Sequence, residues 1–185
     1  MKKICIVLAD GFEEIEALTQ VDYLRRAGLE IDMLTTNKSK EVVGAHNIKV
    51  LADNTMESFD ENQYDAIIIP GGSTGVENLI NNEKILKILK KFKDDKKLIA
   101  AICAGPLVLD KAGVIKDETF TIFPGLEEEI ESGNHINAGV VTSGNIITAK
   151  GVSFAPHLAY SITSYLIDSK ASERLQEETL YFIEI

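Results

Sequence analysis

An α/β fold with a mostly parallel sheet covered by helices on both faces is what this sequence predicts. Three apolar runs, Lys3–Ala9, Asp65–Pro70 and Lys97–Ile102, carry no alternation of polar and apolar residues. Strands buried on both faces read this way. Each run ends in a tight turn, Asp10-Gly11, Gly71-Gly72 or Cys103-Ala-Gly-Pro106, and a helical pattern follows. Strands alternating with helices imply βαβ units and hence a parallel sheet.

In chain order, Lys3–Ala9 is the first strand, and Glu13–Ala27 spaces Ile15, Leu18, Val21 and Leu24 for a helix that Gly28 stops. Leu29–Leu34 is a second strand. Residues 40–52 alternate around Gly44 and predict a small hairpin carrying His46. After Asp65–Pro70 come helical patterns through Val76–Ile80 and Ile85–Phe92. The strand Lys97–Ile102 leads through Cys103 into a helix starting at Gly105-Pro106 and ending near Ala112-Gly113. Residues 119–123, 138–142 and 145–149 read as short strands, with an acidic helix over Leu126–Ile130. Helices over Phe154–Ile167 and Ala171–Thr179 precede the apolar Leu180–Ile183. There is no repeat or linker, so one domain over 1–185 is expected.

Composition narrows the function. The 185 residues carry 29 acidic against 19 basic side chains, a formal charge of −10. Such a surface repels phosphate backbones and argues against nucleic acid as a partner. No apolar run reaches the roughly 18 residues of a membrane span. The start, Met1-Lys2-Lys3 and an apolar stretch, imitates a signal peptide but runs straight into Asp10, Glu13, Glu14 and Glu16. Two cysteines with unlike flanks predict free thiols and a cytoplasmic protein. No cysteine–histidine cluster has zinc spacing, so no metal is expected.

Ligands of open parallel sheets bind at the carboxyl ends of the strands. Three features fall there: the acidic run Glu13-Glu14-Ile15-Glu16, Gly71-Gly72, and Cys103. Cys103 sits between a buried strand and a helix start, where free amides and the dipole favour a thiolate, the reactive form of cysteine. A packed core cysteine is the alternative, and Cys5, mid-strand, is read that way. Glu13, Glu14 and Glu16 read first as solvated carboxylates of a helix start; Glu16 sits with the helical stripe, and the other reading is a carboxyl group that hydrogen-bonds the thiol. An ionised carboxylate there would raise the thiol pKa, so Glu16 assists only when protonated and donating. Gly71-Gly72 is either a plain turn or a pair of amides offered to an oxyanion. His46, His135 and His157 fall in loops or helix starts and are each expected at the surface.

Three segments, Gly11–Glu16, Tyr64–Gly72 and Leu98–Pro106, in this order, resemble the ThiJ/PfpI superfamily and its DJ-one branch. The resemblance implies a flavodoxin-like three-layer sandwich, similar to class I glutamine amidotransferase domains and usually dimeric. It implies a reactive Cys103 with a protonated partner Glu16, and a pocket lined by the amides of Gly71, Gly72 and Ala104. It implies no cofactor. Where some members place a histidine before proline, Phe123 stands before Pro124, and His135 or His157 is then the candidate auxiliary base.

What the resemblance implies about function is a cysteine-dependent enzyme acting on small aldehydes or dicarbonyls, of the glyoxalase or deglycase type. A redox sensor or oxidation-responsive chaperone would use the same cysteine. Amidotransferase chemistry needs a late His-x-Glu pair, and His157-Leu-Ala159 lacks the acid, so it ranks last.

Overall fold

Seven strands form one twisted sheet in the order β10-β11-β7-β6-β1-β2-β5 in the computed structural model, which describes residues 2–181. The centre is made by β1 (Lys3–Leu8), β2 (Glu30–Thr35), β6 (Ala66–Ile69) and β7 (Leu98–Ile102), all mutually parallel. β11 (Ile146–Ala149) continues this parallel set on β7, and β10 (Val140–Ser143) closes the edge as an antiparallel hairpin partner of β11. A two-residue β5 (Asn54–Thr55), which the sequence does not announce, ends the other edge. β-Branched and leucine side chains fill both faces of β1, β6 and β7, which is why these runs lack alternation.

Helices cover both faces. α1 (Glu14–Arg26) and α5 (Ala155–Leu166) pack together over one, where Leu24, Leu158 and Ile162 meet the even-numbered side chains of β1. α2 (Ser73–Ile80), α3 (Glu83–Asp94) and α4 (Pro106–Lys111) cover the other, with Leu79, Leu89, Phe92 and Val108 against Cys5, Val7 and Ile67. α6 (Ser169–Glu178) lies on α5. The layers and the strand order are those of a flavodoxin-like fold.

The short elements depart from the sequence reading. The hairpin over 40–52 is present as β3 (Glu41–Val43) and β4 (Lys49–Leu51). Of residues 119–123 only Thr119–Phe120 form a strand, β8, and it pairs with β9 (Asn134–His135) outside the main sheet. The acidic helix expected over Leu126–Ile130 is only a 3₁₀ turn, Glu127–Glu129, with Leu126 and Ile130 on either side of it packed on the core. Of the apolar tail, Leu180 and Tyr181 lie in a turn, and residues 182–185 are outside the described part.

Candidate functional site

The carboxyl ends of β1, β6 and β7 bring Glu16, Gly71 and Cys103 together. Cys103 follows β7 directly and has φ +62°, a left-handed conformation that non-glycine residues rarely adopt. Such strain costs of order 1–3 kcal/mol and persists only where neighbours enforce it. Here the Cys103 N–H donates to Ala149 of β11 at 2.9 Å, and its carbonyl accepts from the Phe123 N–H at 3.0 Å. The chain is thus pinned on both sides while the side chain turns out of the strand. Cys103 is half-buried, whereas Cys5 is fully buried in β1 with its thiol against the Ala66 carbonyl.

Glu16 comes from the first turn of α1 and is 1 % exposed. Glu13 caps that helix, its carboxylate accepting the Glu16 N–H at 2.7 Å. Glu16 Oε2 accepts the Gly71 N–H at 2.9 Å, while its Oε1 is buried without a hydrogen-bond partner. The Gly71 amide, expected to face an oxyanion, is therefore committed to the carboxyl group. A Cβ at Gly71 would lie 2.4 Å from Glu16 Oε2 and 2.7 Å from Cys103 Cβ, so any larger residue would force the pair apart. Gly72 adopts φ +94°, and its open side presses on the Gly11 carbonyl. The Ala104 N–H, by contrast, acts on the Cys103 thiol and lowers its pKa.

The two acidic groups are electrostatically coupled. Burial pushes Glu16 up to about 7, with contact to Cys103 and the Gly71 N–H pulling the other way. Burial, followed by the charge and contact of an ionised Glu16, pushes the thiol up to about 12. The amide at the helix start pulls the thiol down as the sequence suggested, but burial and the neighbouring Glu16 outweigh it. Between about 7 and about 12 the pair therefore carries one negative charge. A carboxylate on Glu16 is held by the thiol S–H and the Gly71 N–H, while a thiolate on Cys103 is favoured by the Ala104 N–H.

A stability signature follows. The folded-state value of Glu16, about 7, lies above its ordinary 4.5. Its contribution is complete below about 4.5 and lost as pH rises through 7, a change of about 3 kcal/mol. Chemical denaturation from pH 4.5 to 8 should show Glu16→Gln gaining stability relative to the parent by roughly that amount. A constant difference across this range would mean that Glu16 titrates normally.

The remaining candidates lie apart. No hydrogen bond joins His135 or His157 to Cys103 or Glu16 among the described residues. His135, on β9, is exposed beside the Phe120 ring. His157, on α5, has Nε2 2.7 Å from the Tyr181 hydroxyl. It sits among Phe154, Tyr160 and Tyr181 in a separate cavity of about 410 Å³. Phe123 stands at the rim, half-exposed, its ring toward Gly151.

His46 is exposed as expected but not idle. Its Nδ1 lies 2.7 Å from Glu14 Oε2, and its N–H donates to Glu14 Oε1 at 2.7 Å. This contact, unsignalled in the sequence, fastens the β3–β4 hairpin to the start of α1. Glu13, Glu14 and His46 are the one group among the described residues that could approach a cation. The Glu14 oxygens are already occupied by the hairpin.

The family model for the DJ-1/PfpI family matches residues 2–164. The chain belongs to this family. It is 30% identical over 179 residues to the Parkinson disease protein 7 homolog of Danio rerio, covering 95% of each chain. It is 33% identical to protein DJ-1 homolog B of Arabidopsis thaliana, over 96% of this chain but only 41% of that longer protein. A protein of Thermococcus kodakarensis named a deglycase is 31% identical, over 80% of this chain and 89% of its own. Among solved structures, a DJ-1 superfamily protein of Salmonella typhimurium superposes with TM-score 0.94 at 30% identity, covering both chains fully. Oxidized DJ-1 of Toxoplasma gondii gives 0.94 at 31%, covering 99% of this chain and 100% of its own. No helix among the described residues of this DJ-1/PfpI protein is long and apolar enough to cross a membrane.

Proposed function

We propose that this protein is a cysteine-dependent enzyme converting small α-oxoaldehydes to hydroxy acids, with Cys103 as nucleophile and Glu16 as proton carrier. The observation that carries this reading is the Glu16 carboxyl held by Gly71 against a strained, half-buried Cys103 whose thiol the Ala104 amide acts on. An archaeal relative is named a deglycase, which accords with an enzymatic role for this chain.

With methylglyoxal, the thiolate adds to the aldehyde carbon and the Glu16 proton passes to the carbonyl oxygen, forming a hemithioacetal. Ala104 and Gly72 supply amides for the developing oxyanion. The Glu16 carboxylate then removes the proton from that carbon and returns it to the neighbouring carbon, while the hemithioacetal hydroxyl proton passes to the ketone oxygen, which becomes the alcohol. The resulting thioester is hydrolysed by water, releasing lactate and restoring the thiol. No electron leaves the system and no cofactor is consumed. Following dicarbonyl loss and hydroxy-acid formation together, with chelator present, tests the reading. Loss without product would leave only a reversible thiol adduct.

The partner we propose is a second copy of the chain, docked on the outer face of α1 and the hairpin. Ile15, Ile48 and Leu51 are 58 %, 52 % and 72 % exposed there, an apolar surface of the kind that marks an interface. Ile15→Glu with Leu51→Glu should shift the sedimenting species from dimer to monomer without altering the circular dichroism. A parent protein that already sediments as a monomer would overturn the assignment.

A further inference from the structure

Beside the Cys103 turn, a groove of about 350 Å³ runs between α2, α4 and the turn Glu127–Glu129. Two of its lining residues, Ser73 and Ala104, are the chain neighbours of Gly72 and Cys103. Val76, Ile80, Leu107 and Leu126 make its walls, all packed on the main core. Its only charged lining groups are Glu77 and Glu129, both exposed. Neither carboxylate has a lysine, arginine or histidine partner among the described residues.

We propose that this groove is a specificity subsite that takes an apolar chain ending in a cation. The preferred substrates would then be aldehydes or α-oxoaldehydes joined through a short alkyl segment to an ammonium or guanidinium group. The proposal rests on Cys103 being the reacting group and deepens that reading by naming the rest of the substrate. The chemistry follows from the lining. The apolar walls reward methylene groups by removing them from water. Two unpaired carboxylates at the rim reward a positive terminus and repel a negative one. Selection by a repulsive element matters in so acidic a protein, because it separates cationic from anionic carbonyl compounds that the thiol alone would treat alike.

The test needs a reactive thiol at Cys103 but no turnover, so its failure is distinct from failure of the enzymatic reading. Modification of Cys103 by 2-(trimethylammonio)ethyl methanethiosulfonate is compared with modification by the 2-sulfonatoethyl reagent, each forming a mixed disulfide and releasing methanesulfinate. The cationic reagent should react at least about tenfold faster, as expected for one favourable charge contact. Glu77→Gln with Glu129→Gln should reduce the ratio by roughly threefold or more. Glu57→Gln with Glu173→Gln, removing two remote surface charges, should leave it within about twofold, since screened charges act weakly at a distance. An equal fall in both double variants would assign the preference to net charge and overturn the subsite.

A second arm tests the walls. Propyl-, butyl- and pentylammonium are added as protectants against iodoacetamide. Protection should strengthen by up to about fourfold per methylene and lose that dependence in Leu126→Gln. Protection independent of chain length would overturn the apolar half of the proposal.

Discussion

Cys103→Ala is expected to bring hydroxy-acid formation from methylglyoxal down to the buffer rate, a loss of roughly 10³-fold or more, as for removal of other enzymatic nucleophiles. The residue supplies the only bond through which the proposed reaction proceeds, and Cys5 cannot replace it from inside β1. The substitution leaves the backbone burden nearly unchanged, since alanine at φ +62° is strained much as cysteine is. Stability should therefore move by no more than about 1 kcal/mol. Product formation surviving in Cys103→Ala would remove Cys103 from the mechanism.

Glu16→Gln should separate thiol reactivity from turnover. Glutamine keeps an acceptor for the Gly71 N–H and a donor for the sulfur, but it carries no transferable proton. Turnover should fall by about 10²–10⁴-fold, the usual value of a positioned acid–base group. Alkylation of Cys103 by iodoacetamide at pH 7 should change by less than about tenfold, one pKa unit at most. Glu16→Leu, with no donor, should slow alkylation further because the thiolate loses a partner. Alkylation falling in parallel with turnover in Glu16→Gln would reduce Glu16 to a group that merely ionises the thiol.

Much of this molecule was legible in the chain alone. The runs at β1, β6 and β7 are apolar at every position because both faces of a central parallel strand are covered, and that information is local. Gly28 and Gly113 mark helix ends with φ +79° and +71°, again a local demand. The strand–Cys–helix order placed Cys103 at a strand end, and the pairing with Glu16 came from the family resemblance rather than from the residues alone. The family resemblance stated from three segments agrees with the matched family.

What the chain could not decide depends on contacts between distant segments. The Gly71 amide reads as an oxyanion donor until Glu16, 55 residues earlier in sequence, is seen to accept it. The thiol reads as acidified by a helix start until burial and the neighbouring carboxyl are added, and both oppose that effect. Glu14 reads as a solvated helix-start carboxylate until the hairpin closes His46 over it. Periodicity reports which face of an element is buried, because one element's own geometry sets that. Which atoms meet across a site, and which proton they share, is set by how separate elements pack, and only the tertiary structure decides it.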